Sequence, residues 1–181
     1  EVKKASLTAA FGLDVPQLFK SVNDETKIIF LCSPNNPTGN LMDKDSILYV
    51  ADKFNGIVVL DEAYIDFAPG KSLLKELSNY PNLVILQTFS KAWGMAGIRL
   101  GMAFATPEII SVLTKIKYPY NLNILTQEKA LELIENHGKV EKWIKLIIAE
   151  REKMIYLLKD FPFVIRVFSS SANFLLVKMH D

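Results

Sequence analysis

The sequence predicts an α/β fold in which a mostly parallel sheet is flanked by helices, and three observations lead there. Short apolar runs at residues 27–32, 57–60 and 83–86 have the length and composition of buried strands, and each ends in a polar or turn-forming cluster. A segment of helical periodicity separates the first two runs. From Pro107 onward the pattern turns helical, and two further strand-like runs follow it. Apolar strands that alternate with helices imply βα units, whose strands run parallel and are buried on both faces.

Taken in order, residues 2–8 alternate loosely and are expected to form a strand. Asp14 then caps a helix that has Pro16 in its first turn, where a missing N–H costs nothing. The run at 27–32 is a strand, ended by the turn cluster at 33–39. A helix follows over 43–54, with Ile47, Leu48, Val50 and Ala51 on its apolar side. The strand at 57–60 delivers Asp61 and Tyr64 at its carboxyl end, and the strand at 83–86 delivers Thr88 to Lys91. One more strand covers 100–105. Helices are expected over 108–117, 126–136 and 139–159, the last with Ile144, Ile147, Ile148, Arg151, Met154, Ile155 and Leu158 on one stripe. Runs at 164–167 and 174–177 read as strands that begin a smaller domain. The division is therefore 1–138, a large domain, and 139–181, a connecting helix and the start of the second. The abrupt beginning and end of the pattern mark the chain as a piece of a longer protein.

Composition narrows the function. With 181 residues, half of them apolar, the chain can bury a core. Basic and acidic residues balance at 21 and 20, which gives no electrostatic footprint for nucleic acid or an anionic membrane. No apolar run is long enough to span a bilayer. The single cysteine, Cys32, allows no internal disulfide and fits a reducing, cytoplasmic compartment. His137 and His180 are the only histidines and form no metal cluster, so no metal is expected. His137 sits where a helix should end, a position the helix dipole favours for it.

Singly, the polar clusters have ordinary structural explanations. Asn36-Pro37-Thr38-Gly39 is common turn chemistry, Asp61 could cap a helix, and Lys91 and Arg99 could be surface charges. In a parallel sheet, however, ligands gather at the carboxyl ends of the strands, and all these clusters are predicted there.

Their order and spacing resemble the aspartate-aminotransferase-like (fold type I) pyridoxal-phosphate enzymes. Those enzymes carry an Asn-Pro-Thr-Gly turn, an Asp-x-x-Tyr after a strand, a Ser/Thr-x-x-Lys signature and an Arg eight residues beyond the Lys. The matches are Asn36 to Gly39, Asp61 to Tyr64, Thr88 to Lys91, and Arg99. The longer wording at 33–40, 61–67 and 88–101, with 119–123 and 172–177, is similar to histidinol-phosphate aminotransferases. The resemblance departs mildly at Ser169, Ser170 and Ser171, where family members often carry Pro-Ser-Asp.

That resemblance implies the C-terminal part of a fold type I aminotransferase large domain, plus the start of the small α+β domain. It implies pyridoxal 5'-phosphate as cofactor, held by Lys91 as a Schiff base, with Lys91 also the catalytic acid/base. Asp61 would pair with the ring nitrogen, Tyr64 and Asn36 with the phenolic oxygen, and Arg99, Ser90 and Thr88 with the phosphate. Asn123 is a candidate substrate contact. The implied reaction is transamination between histidinol phosphate and 2-oxoglutarate in histidine biosynthesis, by a homodimer acting on a small-molecule substrate. Other enzymes of the fold, a threonine-phosphate decarboxylase or an aromatic aminotransferase, remain open, because Asp61, Lys91 and Arg99 manage the cofactor and not the substrate. A cofactor-sensing regulatory module is a further alternative. The family's phosphate-binding loop and substrate-binding Arg have no counterpart in these 181 residues, so the chain alone is expected to be inactive.

Overall fold

A computed structural model describes residues 1–180. Its centre is a four-stranded sheet, β1 (Ile28–Cys32), β2 (Ile57–Asp61), β3 (Leu83–Thr88) and β4 (Gly101–Phe104), arranged in that order. The first three strands are parallel, with Cys32 level with Asp61 and Asp61 level with Leu86. β4 returns antiparallel to β3, pairing Gly101 with Thr88. The sheet is thus mostly parallel, and the carboxyl ends of β1, β2 and β3 lie along one edge.

Two helices cover one face. α1 (Val15–Ser21) is capped by Asp14, whose carboxylate accepts the Gln17 N–H at 3.0 Å. α2 (Lys44–Lys53) is capped by Asp43, which accepts from both the N–H and the hydroxyl of Ser46. Ile47, Leu48, Val50 and Ala51 are buried as the periodicity requires, against Ile29, Leu31, Val58, Leu60, Leu83 and Ile85 of the sheet. A cap contributes about 1 kcal/mol, whereas truncating one such core side chain costs about 2–5 kcal/mol, so packing decides the fold and caps set its boundaries. The second half is helical: α3 (Pro107–Ile116), α4 (Ile124–Glu135) and α5 (His137–Leu158). β5 (Val164–Val167) and β6 (Val177–Met179) form a separate antiparallel pair. Among the described residues, no helix is long and apolar enough to cross a membrane.

Three sequence expectations need correction. Residues 2–8 are not a strand; no described strand pairs with them, and Ala5 and Leu7 instead lie as irregular chain against the α1–α2 core. The last strand is β6, three residues later than the apolar run at 174–177 suggests. Phe174 is drawn out of the ladder to pack edge-on against Tyr64, with ring centroids 5.1 Å apart. His137 does not end α4 but opens α5. The break between the two helices is the single residue Asn136, at φ −101° and ψ 26°, whose carboxamide donates back to the Glu132 carbonyl at 2.7 Å. Gly138 therefore lies inside a helix, and the His137 ring lies 3.2 Å from the Ile134 carbonyl at the end of α4.

Candidate active site

Each strand end carries one piece of the site. After β1, the Ser33 N–H donates to the Asp61 carbonyl at 3.0 Å and continues the β1–β2 ladder into the turn. The Ser33 hydroxyl accepts the Met42 N–H, and Asn35, Thr38 and Asn40 link their side chains at 2.6 Å each. Gly39 closes the turn at φ +77°, a backbone region that glycine enters freely. The network uses Asn35 and Asn40 but leaves Asn36 exposed. Its Nδ2 donates instead to the Tyr64 phenol oxygen at 2.9 Å.

After β2, one carboxylate oxygen of Asp61 accepts the Ala63 N–H at 2.9 Å, which turns the chain toward Tyr64. Glu62 points the other way, as strand alternation requires. Only 2 % exposed, its carboxylate accepts from Ser72 Oγ at 2.6 Å, Leu73 N at 2.8 Å and Gln87 Nε2 at 2.9 Å. Burial, and then the charge of Glu62, push the nearby Asp66 carboxyl up, against the lowering effect of a hydrogen bond from Trp93. Burial also raises the Cys32 thiol, helped by the Asp61 charge and opposed by the Asn36 backbone N–H.

After β3, the Thr88 hydroxyl donates to the Leu100 carbonyl at 3.2 Å and accepts the Ser90 N–H at 3.0 Å. Phe89, Ala92 and Met95 are buried and anchor the following loop, and Phe89 packs edge-on against Trp93. Lys91 projects outward between them, its Nζ 5.1 Å above the centre of the Tyr64 ring and without a hydrogen-bond partner among the described residues. Arg99 adopts the left-handed conformation at φ 54° and ψ 45°, uncommon for a side-chain-bearing residue and concentrated at functional sites. One guanidinium N–H donates to the Ala96 carbonyl at 3.0 Å, and the others have no protein partner among the described residues.

The structure gathers most of the sequence-derived residues. Asp61, Thr88, Ser90, Lys91 and Arg99, with Gln87, line an open cavity of about 300 Å³, at the lower end of the usual range for small-molecule sites, roughly 300–1,000 Å³. Asn36 and Tyr64 do not line it but join it through the Lys91 side chain above the Tyr64 ring. Asn123 is not brought in. Its side-chain oxygen caps α4 by accepting the Thr126 N–H at 2.9 Å, beside a separate open groove of about 560 Å³. Gln87 lines the cavity although the sequence reading gave it no role, and nothing in a glutamine at that position would have announced one; Glu62 lies behind it and accepts its Nε2–H.

The donor set fits pyridoxal phosphate. One Asp61 oxygen is taken by Ala63, and a carboxylate has lone pairs to spare for a ring N–H. A lysine amine without a hydrogen-bond partner among the described residues, a Tyr–Asn pair, the Ser90 hydroxyl and an open guanidinium fork complete a set suited to an aldehyde, a phenolic oxygen and a phosphate.

The model of the aminotransferase class I and II family matches residues 1–181. The histidinol-phosphate aminotransferase of Parabacteroides distasonis is 55% identical over 179 residues, covering 99% of this chain and 52% of that protein. The crystal structure of the histidinol-phosphate aminotransferase from Clostridium acetobutylicum has a TM-score of 0.89 at 27% identity, over 98% of this chain and 55% of that one. The enzyme from Sinorhizobium meliloti, in complex with pyridoxal-5'-phosphate, has a TM-score of 0.82 at 25% identity, over 93% of this chain and 47% of that one. The chain spans about half the length of the curated relatives it matches.

Proposed function

The chain belongs to the aminotransferase class I and II family, and from that premise we propose that its site binds pyridoxal phosphate for transamination between histidinol phosphate and 2-oxoglutarate. The observation that carries the proposal is the convergence of Asp61, Lys91 and Arg99 on one cavity at the carboxyl edge of the sheet. The named relatives support histidinol phosphate as the amino donor.

When bound, pyridoxal phosphate supplies an electron sink for the pair left behind when the substrate's α-carbon loses its proton. The remaining work falls to the chain's own side chains. Lys91 offers the amine that would hold the cofactor, and its Nζ is the group that would take the proton from carbon and return it. Asp61 places a negative charge where a ring nitrogen must stay protonated, and an opposite charge favours the protonated form. Tyr64 donates its O–H to the phenolic oxygen, assisted by Asn36, and stabilises the anion there. Arg99 and the Ser90 hydroxyl, with Thr88 ordering the loop, bind the phosphate by charge-assisted hydrogen bonds. Asn123 stands beside the substrate in this proposal, although its carboxamide oxygen already caps a helix.

The division into a large domain, 1–138, and the connecting helix and start of a small domain, 139–181, belongs to the same proposal. So do a homodimer and a cytoplasmic location for the whole protein. The exposed apolar side chains of Ile116, Tyr118, Tyr120 and Leu125 support a covered surface in the assembly. The test is to assay full-length protein for glutamate formed from histidinol phosphate and 2-oxoglutarate. Carbon dioxide release from threonine phosphate, with no glutamate formed, would replace the proposal by a decarboxylase.

A further inference from the structure

α5 carries an arginine on its otherwise apolar stripe. Arg151 is 11% exposed at its side chain, and its Nη1 donates to two backbone carbonyls, Ala172 at 2.9 Å and Phe67 at 3.3 Å. Its Nε meets the Glu152 carboxylate at 3.1 Å, which is itself mostly exposed. A nearly buried charge facing two neutral carbonyls costs desolvation that a methionine of similar length would not. Plain packing is therefore a poor explanation for a guanidinium here.

The two carbonyls belong to segments that touch the site. Phe67 is three residues beyond Tyr64 and packs with it, Ala92 and Ala172 in one buried cluster. Ala172 belongs to the segment 170–174, which reaches the site at two points. The Ser171 N–H donates to the Gly39 carbonyl at 2.7 Å, in the turn that carries Asn36. Phe174 packs edge-on against the Tyr64 ring at 5.1 Å. The segment is held internally by the Ser170 hydroxyl, which accepts the Ala172 N–H at 3.0 Å. It lies so close to the turn that a Cβ on Gly39 would meet Ser170 Oγ at 2.5 Å.

We propose that Arg151 is a positioning residue: by tying the Phe67 and Ala172 carbonyls together, it clamps segment 170–174 onto the turn of Asn36 and the ring of Tyr64, and so sets that hydrogen-bonded pair. The role in the reaction rests on the cofactor reading above; the clamp itself does not. Arg151 does not line the cavity and acts only through the residues it holds.

Two readouts on full-length protein separate these parts. Without cofactor, Arg151→Met should speed amide exchange in peptides covering 35–41 and 170–173 by roughly tenfold, the effect of losing one charge-assisted hydrogen bond. Peptides covering β2 should exchange as in the parent. With pyridoxal phosphate bound, the same variant should shift the pH midpoint of the cofactor's visible band and lower kcat, with KM for the amino donor within about twofold of the parent. Arg151→Lys, which keeps the charge but not the fork, should recover part of both changes.

Unchanged exchange at 35–41 would overturn the clamp. Faster exchange with an unmoved visible band would overturn the positioning role. If Arg151→Met loosens β2 as well, Ser170→Ala, which removes one hydroxyl from the same segment, decides by the same two readouts. A parent protein that shows no visible band with pyridoxal phosphate would remove the cofactor reading and the positioning role with it, while exchange would still decide the clamp.

Discussion

Asn36 and Tyr64, 28 residues apart in the chain, meet through a 2.9 Å hydrogen bond from the carboxamide Nδ2 to the phenol oxygen. The bond joins the carboxyl ends of β1 and β2 and leaves the phenol O–H free to donate elsewhere. Tyr64→Phe removes that donor from a buried position and leaves Asn36 without its acceptor. The expected result is about tenfold weaker binding of pyridoxal phosphate to full-length protein, one good hydrogen bond's worth. Asn36→Ala should weaken binding less, because it leaves the phenol in place. Absorbance titration of each variant measures both.

Asp61 should matter to turnover more than to binding. Asp61→Asn keeps the oxygen that accepts the Ala63 N–H but removes the charge opposite the ring nitrogen. We expect kcat to fall at least about a hundredfold, the scale of a preorganised electrostatic group lost from a catalytic centre. Single-turnover kinetics on the cofactor-loaded protein check it, and a loss confined to KM would contradict the assigned role.

Gly39→Ala meets two obstacles at once. The backbone stands at φ +77°, and the new Cβ would fall 2.5 Å from the Ser170 hydroxyl. Left-handed strain of this kind costs about 1–3 kcal/mol, so the denaturation midpoint should drop measurably. Ser170→Gly in the same protein should return part of the loss, because it removes the clash and not the strain.

The pH dependence of stability should carry a mark of Asp66. Its folded pKa is raised, first by burial and then by the charge of Glu62. A carboxyl shifted upward contributes stability that is full below its unfolded value, about 3.9, and that contribution is lost as pH rises through the folded value. Asp66→Asn removes this loss at nearly constant side-chain size. The variant should therefore gain stability relative to the parent as pH is raised from acid toward neutral. Denaturant midpoints measured across that range test the sign.

Much of this was legible because the chemistry sits in contiguous motifs at strand ends. The runs before Ser33, Asp61 and Thr88 are short, apolar and β-rich, and each does end at the sheet edge that bears the site. Asp14 and Asp43 announce their helices because a cap is a local interaction. Phe174 misled because its hydrophobicity is spent on Tyr64, a tertiary contact that no local pattern records. Residues 2–8 misled for the opposite reason: alternation forms a strand only where a neighbour offers a ladder. The partners of Glu62 lie 10 to 25 residues away in sequence. Arg151 reaches 84 residues back to Phe67. The one available signal for it was a charge on an apolar helical stripe.

Lys91 is the centre of the account, an amine without a hydrogen-bond partner among the described residues, above the Tyr64 ring and at the wall of the cavity. Full-length protein loaded with pyridoxal phosphate, reduced with borohydride and digested, gives the most direct test. The account requires the cofactor's mass on a single peptide, with fragmentation placing it on Lys91, and no such product from Lys91→Ala. Stoichiometric labelling at any other lysine, or undiminished labelling of Lys91→Ala, would contradict it.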